Sequence, residues 1–181
     1  MIVECMLLLS SFTAPQVESL DYIMEVKKCT DSIPYTMIEH VPYIVENYDQ
    51  ENWYMALRIG WCESRGKATA YRNSADDSGV MQFIPSTWNW IAEKFDLPEW
   101  DKEILTYNGV PYNKHPRETL VYDIELFDFE RVQFIPYYNI KMASHLAEDT
   151  YSKVTFRDWN SSKWCWENSN WFEKRWREEG F

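Results

Sequence analysis

The sequence predicts a mainly α domain, on the strength of three segments. Trp53, Ala56, Leu57, Gly60 and Trp61 fall at i, i+3, i+4, i+7 and i+8, one apolar stripe of a helix and a poor fit to strand alternation. Asp49 precedes that run as a candidate N-cap, and Gly66 follows it as a candidate left-handed stop. Residues 85–95 form the second helical segment, with Pro85 at its start, Ser86 or Thr87 available for capping, and Asp96-Leu97-Pro98 closing it. The third places Met142, Ala143, Leu146 and Ala147 on one face. Asn139 stands ahead of that face, where it reads as a helix cap.

A chain of 181 residues suits one domain with a real core. With 45% apolar and 17% aromatic residues, it reads as globular and supplied with stacking surfaces. The formal charge of −11 argues against nucleic acid as a partner, because phosphates would be repelled. No apolar run is long enough to span a bilayer. Residues 1–40 read as an N-terminal segment, either an extension or a degenerate signal peptide. The apolar patch Met6-Leu7-Leu8-Leu9 and the small residue Ala14 favour a signal, whereas Glu4 and the lack of any Lys or Arg ahead of the patch oppose it. Residues 41–181 read as the main domain, entered through Val41, Tyr43, Ile44 and Val45. His40 reads as a surface or capping residue. An insert at about 99–133 carries turn signals at Asn108-Gly109-Val110-Pro111 and His115-Pro116.

The chemistry concentrates after the first helix. Its periodicity puts Glu63 in the last turn, at the negative end of the helix dipole and near the apolar Leu57 and Trp61. Both surroundings disfavour the ionised carboxylate, and a carboxyl still protonated near neutral pH suits a general acid for glycoside cleavage. By periodicity alone Glu63 reads equally well as a solvated helix-end residue. Asp76 and Asp77 follow in the next loop, where each is either a turn residue bonding nearby amides or a carboxylate that assists a water.

A resemblance narrows these alternatives. Glu63-Ser64, Ala70 and Asn73, then Ser78-Gly79-Val80-Met81-Gln82-Phe83 and Pro85-Ser86-Thr87-Trp88 resemble the signature of the lytic transglycosylases, within the lysozyme-like superfamily. Cys62-Glu63-Ser64-Arg65-Gly66, Gly79 to Trp88, Asn139-Ile140 and the stretch Trp159 to Trp166 are similar, in order, to the four motif blocks of its phage and actinobacterial branch. The likeness covers roughly residues 40 to 170. It implies a lysozyme-like α+β fold with a helical core and at most a small β-hairpin region. It also implies cleavage of the β-1,4 bond between N-acetylmuramic acid and N-acetylglucosamine in peptidoglycan, with Glu63 as acid and then base and no metal or organic cofactor. In this likeness Ser78, Gly79, Gln82, Tyr138 and Asn139 border or bind the glycan. Cys62 pairs with Cys165, and the protein works in an extracytoplasmic, oxidising place. Cys5 and Cys29 have no such pattern behind them. Two alternatives stay open: a hydrolytic muramidase in which Asp76 or Asp77 positions water, and an inactive glycan-binding or virion-structural protein. Peptidoglycan strands are the expected partner, with phage virion proteins as a further class.

Overall fold

The computed structural model describes residues 2–11, 20–72, 75–101, 106–107, 110–111, 131–149 and 155–179. Among these are eight α-helices: α1 (Ile2–Ser10), α2 (Leu20–Thr30), α3 (Val41–Asn47), α4 (Trp53–Ser64), α5 (Pro85–Phe95), α6 (Pro136–Asp149), α7 (Lys163–Trp166) and α8 (Ser169–Glu179). Two antiparallel hairpins join them, β1 (Tyr71–Arg72) with β2 (Asp77–Ser78), and β3 (Thr106–Tyr107) with β4 (Val110–Pro111). The fold is mainly α and lysozyme-like, with small hairpins as its β content. Most of the expected insert, residues 102–105, 108–109 and 112–130, lies outside the described residues. No helix among the described residues is long and apolar enough to cross a membrane.

The helix α4 is the centre of the packing. The sequence marks one apolar stripe, yet Arg58, Ile59, Glu63 and Ser64 are buried along with Trp53, Ala56, Leu57, Gly60 and Trp61. A helix covered on nearly every side is a core helix, here wrapped by α1, α3 and α7. Replacing Trp61, which is fully buried, with alanine would cost about 3–5 kcal/mol through lost contacts and the cavity left behind.

The ends of α4 differ from expectation. Asp49 precedes a 3-10 turn, Gln50–Asn52, and α4 begins after it with no side-chain cap at Asn52. At the other end the left-handed stop starts one residue early, with φ of 59° at Arg65 followed by 74° at Gly66. Arg65 compensates for that conformation with its side chain. Its guanidinium lies 4.2 Å from the Trp61 ring centre, donates to the carbonyls of Trp61 and Cys62 at 3.2 and 3.1 Å, and pairs with Glu179 at 2.7 Å. The carbonyls left open by the helix end are thereby satisfied, and α8 is tied to α4.

The N-terminal apolar patch is part of the fold. Cys5, Met6 and Leu9 of α1 are buried against α3 and α4, so contacts run across the boundary expected at residue 40. A Cys5–Cys29 disulfide joins α1 to α2. His40, expected at the surface, is fully buried. Its Nε2–H donates to the carbonyl of Gly66 at 2.7 Å, which fixes the turn after α4, and burial lowers its pKa. The C-terminal indoles split: Trp159, Trp166 and Trp176 are buried, and Trp164 is exposed.

Candidate active site

Glu63 closes α4 beside a cavity of about 200 Å³. The hairpin β1–β2 adds Arg72 and Asp77 to its lining, and the turn before α5 adds Met81, Gln82, Phe83 and Ile84. Leu146 of α6 and the 3-10 helix Arg157–Ser162, through Asp158, Trp159 and Ser161, complete it.

Only 8% of Glu63 is exposed. Burial pushes its carboxyl pKa above the ordinary value and the charge of Asp77 adds to the rise, while the hydrogen bond from Ser162 and the positive charge of Arg72 oppose it. The Ser162 hydroxyl bonds Glu63 Oε1 and also lies 3.0 Å from the Trp159 carbonyl. Trp166 Nε1–H donates to that same hydroxyl at 3.0 Å. A Cys62–Cys165 disulfide, with Cα atoms 5.9 Å apart, joins the residue before Glu63 to α7. The acid is therefore fixed by its helix, by a covalent link one residue away and by a hydroxyl set in place by that link.

The hairpin separates the two aspartates. In its register Arg72 lies opposite Asp77, and their side chains pair at 3.3 Å. Burial pushes Asp77 up, Arg72 opposes that, and the charge of Asp76 adds to it. Asp76 turns elsewhere, in a left-handed conformation with φ of 59°, and its carboxylate accepts a hydrogen bond from the Tyr71 hydroxyl. Of the pair, Asp77 shares the cavity with Glu63 and Asp76 does not.

Beneath the cavity the floor is held by Asn139. Its Oδ1 accepts the Met81 N–H at 2.7 Å, and its Nδ2 donates to the carbonyls of Ser78 and Gln133 at 3.0 and 3.1 Å. Trp159 Nε1–H donates to the Met81 carbonyl at 2.9 Å, so the Met81 backbone is gripped from both sides. Gly79, with φ of 80°, leaves no room for a side chain: a Cβ there would meet Asn139 Nδ2 at 2.2 Å and the Gln133 carbonyl at 2.5 Å. Gln82 is left-handed as well, with φ of 52°, and its amide NH₂ donates to the carbonyls of Ala70 and Gly79 at 3.1 and 2.9 Å. Its Oε1 has no donor among the described residues.

Of the residues singled out from the sequence, Glu63, Asp77 and Gln82 line the cavity. Ser78 and Asn139 are fully buried, and with Gly79 they build the floor from below instead of facing the opening. Asn139 lies inside α6 and caps no helix end, because all of its amide is spent on the floor. Tyr138 is not among the lining residues; its ring meets Tyr137 edge-on at 5.2 Å, and Tyr137 meets Tyr43 likewise at 6.0 Å. Arg72 and Asp158 were not foreseen, and Trp159 and Ser162 stood in the closing motif block without a role at the acid. Ser162 opens its Ser-Lys-Trp-Cys-Trp stretch. Arg72 carries no motif signal and is recognisable only once the hairpin register is known. Among the described residues no cluster of His, Cys, Asp and Glu could hold a metal ion.

This arrangement places a dry carboxyl one cavity away from a second carboxylate, above a rigid backbone turn. Residues 44–108 match the family model of the transglycosylase SLT domain. The SLT match spans α4 with Glu63, the first hairpin, the floor turn and α5, and it ends before α6 and α7, which supply Asn139 and fix Ser162. It places this segment with the lytic transglycosylases of the lysozyme-like superfamily and supports, at the level of the family, a peptidoglycan lytic transglycosylase type of function. No curated protein and no solved structure matches the chain significantly. SLT domains act on peptidoglycan outside the cytoplasm, and the two disulfides fit an oxidising place.

Proposed function

We propose that this protein is a lytic transglycosylase that cleaves the β-1,4 bond between N-acetylmuramic acid and N-acetylglucosamine, with Glu63 as the single acid and base. The observation that carries the reading is Glu63 itself, buried at a helix end, raised in pKa and lining a cavity. A carboxyl that keeps its proton can give it to the glycosidic oxygen as the bond to the leaving sugar breaks. The C6 hydroxyl of the muramic acid then closes on its own anomeric carbon, aided by the N-acetyl group, and returns its proton to the Glu63 carboxylate. The product carries a 1,6-anhydro ring, and no water is consumed. Gln82 lines the cavity with its NH₂ held by the carbonyls of Ala70 and Gly79 and its Oε1 buried without a donor among the described residues, so it shapes the wall beside the acid. At about 200 Å³ the cavity is smaller than ligand pockets of roughly 300–1,000 Å³, and so suits one sugar unit next to the acid within a longer strand.

A second reading has an observation of its own. Asp77 shares the cavity and is held by Arg72, as a base that directs water onto the sugar would be. That enzyme would be a muramidase, and its product would be a reducing end.

Digestion of purified murein separates the two by product. Anhydro-muramyl ends support the transglycosylase, reducing ends formed at the same sites support the muramidase, and no release of fragments removes both. Glu63→Gln is expected to lower the rate by about 10²–10⁴-fold, the range typical of a lost general acid and base, with murein still bound. Activity that survives this change refutes the assignment of Glu63.

A further inference from the structure

We propose that Ser162 is a positioning residue for Glu63, a hydroxyl rotor that keeps the acid hydrogen-bonded both when it holds its proton and when it has given it away. The proposal rests on the catalytic reading of Glu63 and adds to it a residue that lies outside the SLT match.

A serine hydroxyl has one hydrogen to give and two lone pairs to offer. Around Ser162 Oγ the structure places three partners: Glu63 Oε1, the Trp159 carbonyl at 3.0 Å and Trp166 Nε1–H at 3.0 Å. The indole can only donate, and its one N–H is shared between the serine oxygen and the Trp159 carbonyl, 3.0 Å from each. The Trp159 carbonyl can only accept. Glu63 is the one partner whose role changes. While Glu63 is ionised, the serine hydrogen points to it. When Glu63 is protonated, its own O–H donates to the second lone pair, and the serine hydrogen swings to the Trp159 carbonyl. One rotation about the Cβ–Oγ bond therefore accompanies each proton transfer, and no buried donor or acceptor is stranded in either state. The Trp159 carbonyl keeps a donor throughout, because Trp166 Nε1–H lies 3.0 Å from it as well.

The rotor is held against the acid by covalent structure. Cys165, three residues on, is bonded to Cys62, the neighbour of Glu63. Trp159 and Trp166 are both buried, so the frame of the rotor is packed on the domain. Among the described residues that line the cavity, the other charged groups are Arg72 from β1, Asp77 from β2 and Asp158 from the 3-10 helix, and α6 contributes Leu146.

The test compares the full-length protein with Ser162→Ala, Ser162→Thr, Trp166→Phe and Glu63→Gln on soluble peptidoglycan fragments, following kcat and KM over pH. A general acid loses activity on the alkaline side as it deprotonates, so that limb reports Glu63. Ser162→Ala is expected to lower kcat about tenfold, to leave KM within about twofold, and to move the alkaline limb to higher pH, because the bond lost from the ionised carboxylate is stronger than the one lost from the neutral acid. Ser162→Thr, which keeps the hydroxyl, restores the limb. Trp166→Phe keeps an aromatic ring at this buried position but removes the N–H that serves Ser162 and the Trp159 carbonyl, and shifts the limb the same way by less, which also decides the matter if Ser162→Ala does not fold. An unmoved limb in both Ser162→Ala and Trp166→Phe, with Glu63→Gln inactive, overturns the rotor and leaves the catalytic assignment standing. An active Glu63→Gln overturns both.

Discussion

The two carboxylates of the cavity are held by contrasting means. Glu63 ends a core helix, next to a disulfide and against a half-buried serine backed by a buried indole. Asp77 stands on a two-residue strand and is held by Arg72, whose side chain is 39% exposed. Salt weakens the second arrangement, because a partly exposed ion pair is screened, and it leaves the first nearly untouched. The contrast separates a fixed acid from an adjustable wall. One carboxyl must meet the glycosidic oxygen in a set geometry, whereas the hairpin has only to keep a charge nearby.

The largest stability effect is expected where that difference is covalent. Replacing Cys62 and Cys165 together with serine opens a link between positions 103 residues apart, at a cost on the order of 2–5 kcal/mol. Thermal unfolding would read the loss, and a smaller loss for Cys5→Ser with Cys29→Ser, whose separation is 24 residues, would place the stronger constraint at the site. Equal losses would remove the distinction. Next in size, Asn139→Ala takes the partner from the Met81 N–H and the Gln133 carbonyl and leaves the Ser78 carbonyl with the Phe83 N–H, for about 2–4 kcal/mol. Chemical denaturation with an unchanged slope and a lowered midpoint would check it.

A smaller effect on rate is expected at the hairpin. Asp77→Asn should reduce turnover about tenfold or less if Glu63 acts alone, since one general catalyst removed outright is typically worth 10²–10⁴-fold. A loss as deep as that of Glu63→Gln would move Asp77 into the chemistry. Raising the salt concentration should change the rate of the wild type little and leave Glu63 chemistry intact.

The smallest effect concerns pH and stability. Burial raises the folded-state pKa of Glu63 and of Asp77 above their ordinary values of 4.5 and 3.8. Between each ordinary value and the raised one, the unfolded chain has released a proton that the folded chain retains. Stability from these groups is thus full below the ordinary values and is lost as pH rises through the raised ones. Glu63→Gln should accordingly raise the thermal midpoint at neutral pH, with the gain vanishing in acid. His40 works the other way. Its folded pKa is depressed below 6.5 by burial, so its contribution is present above that value and is lost as pH falls. Midpoints taken across pH for Glu63→Gln and the parent would fail this account if the two curves ran parallel.

Much of the helical frame was legible because it follows from patterns of close neighbours. The stripe of α4, the proline start of α5 and the apolar face of α6 are all local signals, and each lies on a helix, although α4 starts beyond Asp49 and α6 starts ahead of Asn139. The place of Glu63 in the last turn was legible for the same reason, whereas its role as an acid rested on the resemblance of the motifs around it. What escaped reading depends on contacts between distant segments. His40 is buried because the turn at Gly66 closes over it 26 positions later. Asn139 is fully buried and spends its amide on a loop about sixty residues earlier, a contact that no local pattern announces. Nothing near Asp76 and Asp77 in sequence tells which faces inward; the hairpin register decides it. Ser162 stood in plain view inside a motif, and only its contact with Glu63 gives it a purpose.

The close fit of Gly79 against Asn139 has an evolutionary corollary. A methyl group added at the glycine would collide with the amide, and a shorter or larger side chain in place of the amide would abandon the peptide that the glycine lets approach. Neither position is free to drift alone. Descendants of this chain should carry both residues or neither, so the pair would covary in any collection of its relatives although one of the two lies outside the SLT match.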